Sequence, residues 1–430
     1  MNFNIITLGC KVNQYESQLM SEMLRKHGFI LSENKDKADI TIINTCTVTA
    51  VSDAKNRKLI HRARRQNPDG IIILTGCMPQ AFPDRTTDFE DCDIVLGNKK
   101  RALLISSIND YLTTHKQIID IEAHDNKDAE YEELTVNNFD GHTRAFVKIE
   151  DGCNRFCSYC IIPYARGRVR SKKPSDIKSE IQALADNGYK EIVLVGINLS
   201  AYGLGEEFDL ADAVDTACEI EGIERVRLGS FEPELMYQSL IERFAKQEKF
   251  CPQFHLSLQS GCDTTLERMR RQYDGKEYMR IVEDLRKSFD NPSITTDVMV
   301  GFAGETDEEF RQSVEFVKSV GFSKVHVFPY SRRKGTLADK MDNHVSPEIK
   351  EKRSKIMIEA CDRERERFLD SQVGRTEAVL VERKRDGGYF EGYTKNYTPV
   401  RIFADGEFSG KIVDVKITKA ENDWCIGELC

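Results

Sequence analysis

The 430-residue chain contains no apolar run approaching the ~20 residues needed to span a bilayer, which argues against a helical membrane protein. Its opening, Met1-Asn2-Phe3-Asn4-Ile5-Ile6-Thr7-Leu8, lacks a basic n-region and a long apolar h-region, so no secretory signal is expected and a cytoplasmic chain is. An excess of positive charge is missing as well: 62 Lys and Arg against 71 Asp and Glu give a formal net charge of -9. Nucleic-acid binding would therefore have to rest on local basic patches. Without a secretory signal, the 13 cysteines do not read as a disulfide framework. With 40% hydrophobic residues the chain can build real cores, and its length suggests roughly two to four domains.

What is present is a Cys-x-x-x-Cys-x-x-Cys run, Cys153, Cys157 and Cys160, inside Ile149-Glu150-Asp151-Gly152-Cys153-Asn154-Arg155-Phe156-Cys157-Ser158-Tyr159-Cys160. Three thiolates in one short loop can hold three irons of a cubane cluster and leave the fourth without a protein ligand. An open iron is a place to bind a cofactor. Structural zinc fits less well, because such sites favour four ligands with paired Cys-x-x-Cys spacing, and the nearest extra donor, His142, lies well upstream.

From Met1 to Leu112 short β-rich runs alternate with amphipathic helices. Strands are predicted over Phe3 to Leu8, Asp39 to Asn44, Ile71 to Thr75 and Ile94 to Leu96, and helices over Gln14 to His27, Ala50 to Gln66 and Arg101 to Leu112. This is a compact α/β sheet, parallel by its alternation. Cys10, Cys46 and Cys77 each follow a strand, and parallel sheets gather ligands at the carboxyl ends of their strands. The three thiols should converge on one edge and offer a second three-thiolate site, with buried core thiols as the alternative. Cys92, Cys218, Cys251, Cys262, Cys361, Cys425 and Cys430 show no ligand spacing.

Residues 115–140 are acidic and polar, centred on His124 to Glu133, and look like a connection between domains. Beyond it, Ala145 to Glu150, Glu191 to Val195, Arg225 to Leu228, Phe254 to Leu258, Ile294 to Val300 and Lys324 to Phe328 predict six strand-helix units, a partial barrel of the TIM type over residues 141–370. The cysteine loop leaves the first of these strands, on the catalytic side of such barrels. Gly196, Asn198, Ser230, Glu232, Gln259 and Asp297 stand at the other strand ends, where glycines admit a ligand closely and polar neighbours can bond a nucleoside. From 371 to 430 short strands over Glu377 to Glu382, Tyr389 to Thr394, Pro399 to Ile402 and Lys411 to Ala420 predict a small OB-like β-barrel. The N-terminal sheet domain accounts for residues 1–114. Two basic runs adjoin the cysteines: Lys55, Arg57, Lys58, Arg62, Arg64 and Arg65 on one predicted helix, and Arg166, Arg168, Arg170, Lys172 and Lys173 after the loop. They are candidates to grip RNA phosphates, although a charge run is usually a solvated face.

The cysteine spacing, Tyr159 before the last cysteine and the barrel resemble the radical S-adenosylmethionine enzymes. That resemblance implies that the methionine amine and carboxylate chelate the open iron, and that one electron from the cluster cleaves the sulfonium to a 5′-deoxyadenosyl radical. Tyr159 would then pack near the adenine, and Gly196, Asn198, Ser230, Glu232, Gln259 and Asp297 would contact the rest of the cofactor. Across essentially the whole chain the likeness is closer still to the methylthiotransferases. It is carried by Thr7-Leu8-Gly9-Cys10-Lys11-Val12-Asn13-Gln14-Tyr15-Glu16-Ser17, Asn44-Thr45-Cys46-Thr47-Val48-Thr49, Thr75-Gly76-Cys77, the segment from Cys160 to Ser171, and Leu258-Gln259-Ser260-Gly261.

Membership of that family implies two 4Fe-4S clusters, with Cys10, Cys46 and Cys77 holding an auxiliary one that supplies or carries sulfur. It also implies S-adenosylmethionine as methyl donor and radical source, a C-terminal TRAM domain that binds RNA, and an electron donor such as flavodoxin or ferredoxin. The block after Cys10 is most similar to that of enzymes that methylthiolate N6-threonylcarbamoyladenosine beside the tRNA anticodon. It differs from the Gln-Met-Asn-type block of the isopentenyladenosine enzymes and from the Pro-Lys-Asn-type block of the ribosomal-protein enzymes. The anticodon stem-loop of tRNA is the implied partner. A ribosomal-protein aspartate methylthiotransferase and a non-catalytic tRNA-binding iron-sulfur redox sensor are the competing classes.

Overall fold

In the computed structural model, which describes residues 1–33, 37–125, 131–132 and 134–430, the chain begins with a six-stranded parallel sheet. Its strands are β1 (Asn2–Thr7), β2 (Ile30–Leu31), β3 (Ile40–Thr45), β4 (Ile71–Gly76), β5 (Ile94–Leu96) and β6 (Ile118–Asp120), in the order β2-β1-β3-β4-β5-β6. β3 and β4 are buried along their whole length. Interior parallel strands covered on both faces read as continuous Ile-rich runs for this reason. Helices α1 (Lys11–Lys26), α2 (Ala50–Gln66), α3 (Cys77–Ala81) and α4 (Leu104–Thr114) make the crossovers. Thr49 caps α2 by accepting the Ser52 amide on its hydroxyl at 3.1 Å.

The expected acidic connection is in part a structural element. β6 lies within it and extends the sheet, pairing Ile118 with Ile94. Further along, Val136 and Phe139 are buried in the same core as Tyr15 and Phe146, and the Asn137 amide donates to Glu22 at 2.8 Å. An acidic composition hid these few apolar anchors. The centre of the connection, Asn126 to Glu130 and Glu133, lies outside the described residues.

Six parallel strand positions follow: β7 (Arg144–Lys148), β10 (Glu191–Val195), β11 with β12 (Arg225–Leu228 and Ser230–Phe231, parted at Gly229), β13 (Gln253–Leu256), β14 (Ser293–Val300) and β15 (Lys324–Pro329). This is the expected partial barrel. Alternate residues divide its faces, as strand geometry requires. Ala145, Val147, Ile192, Leu194, Val226, Phe254 and Leu256 join the core under the helices. The other face is polar, with Arg144, Glu191, Arg225, Arg227, His255, Thr295, Asp297 and His326 in register. Between β7 and β10 a two-stranded ribbon, β8 (Glu150–Asp151) against β9 (Arg170–Ser171), closes the base of the cysteine loop.

The 26-residue helix Pro347–Gln372 leads to a closed five-stranded barrel, β16 (Thr376–Lys384), β17 (Tyr389–Thr394), β18 (Pro399–Phe403), β19 (Ile412–Glu421) and β20 (Trp424–Leu429). β20 was not among the strands predicted from sequence, and it closes the barrel between β18 and β19. This unit docks on the lower ends of the central strands: Arg225 donates to the carbonyls of Tyr393 and Ala378, and Arg227 to that of Lys395, at 3.0, 2.6 and 2.9 Å. Among the described residues no helix is long and apolar enough to cross a membrane.

Candidate active site

The three N-terminal cysteines do meet at one sheet edge. Cys10 is the N-cap of α1, Cys46 follows β3, and Cys77 opens α3 directly after β4. Two glycines allow the loops to approach. Gly9 has φ of +126°, and a Cβ there would stand 2.9 Å from the Cys46 Cβ; Gly76, at +99°, would drive one to 2.5 Å from the Thr45 carbonyl. A lattice of side chains fixes the loops to one another. Asn13 donates to the Asn44 side chain and the Thr45 carbonyl, both at 3.2 Å, and accepts the Cys10 thiol at 3.3 Å. Asn56 donates to the Cys46 carbonyl at 2.7 Å.

The second site is the loop closed by the β8–β9 ribbon. Gly152 opens it, at φ of +91°, where a Cβ would fall 1.9 Å from the Arg168 carbonyl. The Cys153 amide donates to Gly167, the Cys160 amide to Cys157 and the Ser158 amide to Met269, all at 3.0 Å. Phe156 takes φ of +48°, an unusual conformation for an aromatic residue and a mark of a constrained loop. Tyr159 stands edge-on to Phe302 at 6.3 Å, against a patch containing Met269, Met299 and Tyr330.

Burial raises all the loop thiols, Cys160 to about 12, and likewise Cys46 and Cys77, the last to about 12. Each triad also contains a thiol with a guanidinium donor: Arg166 Nε lies 3.2 Å from Cys77 Sγ and Arg271 Nη1 3.4 Å from Cys157 Sγ. Among the described residues no three His, Cys, Asp or Glu side chains are grouped to hold a metal ion; soft thiols, the buried ones kept protonated and each set with one cationic donor beside it, suit the wider span of an iron-sulfur cluster, whose irons would displace the protons. Among the described residues Glu150 Oε1, Asn198 Oδ1 and Gln259 Oε1 are buried acceptors with no hydrogen-bond partner. S-adenosylmethionine brings donors for such orphans: an ammonium, two ribose hydroxyls and an adenine amine.

The expected cofactor contacts separate into those brought to the loop and those set apart. Gly196 and Asn198 gather around Glu150, with the Asn198 amide donating to Glu150 at 2.7 Å. Glu232 pairs with Arg271, the residue that reaches Cys157. Gln259, at φ of +64°, joins β14 through Met299, whose amide donates to its carbonyl at 2.8 Å. Asp297 points down the polar face to His255 at 3.3 Å, and Ser230 is exposed at the start of β12. Glu150 and Arg271 were missed by the sequence reading; only the position of Glu150 beside the loop could have signalled it.

The basic runs require correction. Arg166 is fully buried, paired with Glu16 and hydrogen-bonded to Cys77, because it fills the seam between the two sites. Lys172 is buried on Glu180. Neither can face RNA. Arg64 folds back on Asp93 and on the carbonyls of Pro68 and Gly70, which makes it a brace for its own sheet. Arg170, its side chain 12% exposed, is likewise held inward, donating to the carbonyls of Arg166 and Arg168 at 3.2 and 3.0 Å and lying 3.6 Å from Asp151; Arg62, Arg65, Lys55 and Lys58 stay exposed on α2, and Arg168, over the Phe156 ring, is half-buried.

The seam is a buried charge network that composition alone could not reveal. Glu16 takes Arg166, Arg101 at 3.1 Å and Lys148 at 3.4 Å, while Asp151 takes Lys148 at 3.1 Å and Arg166 at 3.6 Å. Burial works to raise Glu16, but Arg101, Arg166 and Lys148 outweigh it and hold the carboxyl at about 2. A second link crosses between the sites: Ser331 accepts the Ala50 amide at 3.0 Å, Arg333 pairs with Asp53 at 3.0 Å, and the Ala338 amide donates to Ser158 at 2.7 Å. One loop thus touches the surroundings of Cys46 and of Cys157.

Comparison with known proteins finds three family matches along the chain. Residues 2–97 match Uncharacterized protein family UPF0004, residues 147–317 the Radical SAM superfamily, and residues 370–429 the TRAM domain. The chain is 38% identical over 420 residues to threonylcarbamoyladenosine tRNA methylthiotransferase MtaB of Bacillus subtilis (strain 168), covering 96% of this chain and 93% of that protein. It is also 36% identical over 436 residues to tRNA-2-methylthio-N(6)-dimethylallyladenosine synthase of Clostridium botulinum (strain Loch Maree / Type A3), covering 99% and 96%. In fold it is similar to the radical S-adenosylmethionine methyltransferase TsrM of Kitasatospora setae, with a TM-score of 0.57 and 12% identity over 76% of this chain and 71% of that one. The chain belongs to the radical S-adenosylmethionine methylthiotransferase family. A 4Fe-4S cluster and S-adenosylmethionine are the cofactors that the family implies.

Proposed function

We propose that this chain converts N6-threonylcarbamoyladenosine beside the tRNA anticodon to its 2-methylthio derivative, acting in the cytoplasm. In this reading Cys153, Cys157 and Cys160 hold one 4Fe-4S cluster and Cys10, Cys46 and Cys77 a second. When bound, the first supplies the electron that cleaves S-adenosylmethionine and the second the sulfur that is transferred. The observation that carries the reading is the pair of ties between the two thiol sets, Arg166 on Cys77 and Glu16, and the Ser331 to Ala338 loop touching both surroundings. A substrate carbon held between the two sets would meet both chemistries without leaving the protein.

The chain's own residues do the positioning. Glu150, Asn198 and Gln259 offer buried acceptors to the cofactor, Tyr159 and Phe302 an apolar wall for its adenine, and Arg271 holds Glu232 at the rim. Arg62 and Arg65, exposed on α2, with Arg168 are the candidates to meet phosphates of the anticodon stem-loop, and the TRAM match supports an RNA-binding surface. A small electron carrier such as flavodoxin or ferredoxin provides the reductant.

Relatives at similar identity bear two different nucleoside names, so the base is decided by experiment. Nucleoside mass spectrometry of tRNA from a deletion strain should show loss of 2-methylthio-N6-threonylcarbamoyladenosine and accumulation of its precursor. Loss of the dimethylallyl product, or of neither, contradicts the assignment.

A further inference from the structure

Cys157 has a charged donor against its sulfur inside the protein. Arg271, its side chain 3% exposed, brings Nη1 to 3.4 Å from Cys157 Sγ. Its other nitrogens fix it there: Nε donates to the Tyr273 hydroxyl at 3.0 Å and Nη2 to the Ser257 carbonyl at 3.2 Å. Tyr273 in turn donates to the Leu258 carbonyl at 2.7 Å, so the guanidinium is anchored to the segment that leaves β13. It cannot swing away from the sulfur without breaking these bonds.

Glu232, just past the end of β12, takes the same guanidinium from its other side. Its carboxylate accepts from both terminal nitrogens of Arg271, Oε1 from Nη1 at 3.4 Å. A second ion pair stands two residues on: Glu234 takes Arg155, which lies between Cys153 and Cys157 in the loop, at 2.6 Å, with side chains 11% and 14% exposed. Each of these guanidiniums has a carboxylate of its own. The four charges cancel, and removing any one of them leaves a net charge beside the thiols.

Charge is what a one-electron couple reads. A 4Fe-4S cluster on thiolates becomes more negative by one on reduction, and net charge and hydrogen bonds to its sulfurs set its potential. A guanidinium on a ligand sulfur favours the reduced form, and a carboxylate behind that guanidinium disfavours it. At this burial neither effect is screened away by solvent ions. Arg271 and Glu232 are therefore opposed controls on one potential.

We propose that the pair formed by Arg271 and Glu232 sets the reduction potential of the cluster held by Cys153, Cys157 and Cys160, Arg271 raising it through its bond to the Cys157 sulfur and Glu232 lowering it through Arg271. Both are positioning residues, acting through a ligand of the cluster. Glu232, expected from sequence to contact S-adenosylmethionine, takes a different task. The step they govern is transfer of one electron to the sulfonium, whose bond from sulfur to C5′ breaks to give methionine and the 5′-deoxyadenosyl radical; the small electron carrier replaces the electron. This rests on the two-cluster reading above.

The test is an anaerobic redox titration of the reconstituted full-length chain without S-adenosylmethionine, read by electron paramagnetic resonance of the reduced clusters. The loop cluster gives the signal that is lost when Cys153, Cys157 and Cys160 are all replaced by Ala. Glu232→Gln, which keeps the shape and removes one negative charge, should make that cluster about tenfold easier to reduce, an upward shift of ~59 mV for one electron. Arg271→Met should shift it downward by a similar amount, and the double variant should return toward the native value. The auxiliary signal should stay in place in all three. A purely structural pair would instead move both single variants in the same direction or change only their iron content. Shifts of one sign, or no shift in Glu232→Gln, overturn the proposal, and if Arg271→Met takes up no iron the Glu232→Gln shift decides alone. If replacing the three loop cysteines removes no signal, the two-cluster reading itself falls; if it removes one and the potential does not respond to Glu232→Gln, only the role of the pair falls.

Discussion

Cys153, Cys157 and Cys160 occupy one excursion closed by the β8–β9 ribbon, whereas Cys10, Cys46 and Cys77 arrive from three strand ends and meet only because β1, β3 and β4 lie side by side. The first site is built by local chain geometry, with Gly152 and Phe156 in left-handed conformations to aim the thiols. The second is built by sheet register, with Asn13, Asn44 and Thr45 tying neighbouring loops together. Chemistry at the loop should thus be separable from folding. Chemistry at the strand ends should be entangled with it, since the seam that supports Cys77 also joins the two units through Arg166 and Glu16.

The sharpest way to break this comparison is to remove one thiol from each site. Cys157→Ala should abolish both 5′-deoxyadenosine and methylthio product in an anaerobic assay with reductant, S-adenosylmethionine and tRNA. Cys46→Ala should retain measurable 5′-deoxyadenosine and form no methylthio product. Product from either variant removes its assigned role, and loss of 5′-deoxyadenosine from both would erase the difference between the sites.

Next in size is the seam. Arg166→Met leaves Glu16 and Asp151 buried with less compensation, so unfolding free energy in urea should fall by ~3–5 kcal/mol. A loss below about 1 kcal/mol would mean that Arg101 and Lys148 suffice without it. The same network sets an acid limit. Because Glu16 is held at about 2 in the folded chain against an ordinary 4.5, its stabilising contribution is fully present above about 4.5 and is lost as pH falls toward 2. Urea melts at about pH 5 and about pH 3 should show a steeper acid loss for the native chain than for Glu16→Gln. Parallel slopes would dissociate Glu16 from that loss.

The smallest effect expected is at the surface. Charge reversal at Arg62 and Arg65 should weaken tRNA binding and lower the slope of log affinity against log salt by ~1 for each phosphate contact removed, with little change in folding. Arg64→Glu should instead cost stability, because Arg64 braces Asp93 and two carbonyls. Unchanged binding after reversal of Arg62 and Arg65 moves the RNA interface elsewhere.

Much of the architecture was legible because it rests on patterns of fixed period. The Ile-rich runs of β3 and β4, the strand-helix alternation and the helix at Ala50–Gln66 all follow from burial and propensity, and strand-end cysteines in a parallel sheet must converge. Features that depend on a single distant partner were not legible. Arg166 stands in a basic run and looks solvated, yet Glu16, 150 residues away, draws it inward. The segment with Val136 and Phe139 hides two anchors in a polar stretch, and β20 follows a turn too tight to separate it from β19.

The proposal that one chain holds two three-thiolate clusters is tested by counting metal. Anaerobically reconstituted native protein should bind about eight irons and about eight sulfides per chain, falling to about four of each when Cys10, Cys46 and Cys77 are all replaced by Ala. About four irons in the native protein, with no change on replacing those three cysteines, would contradict it.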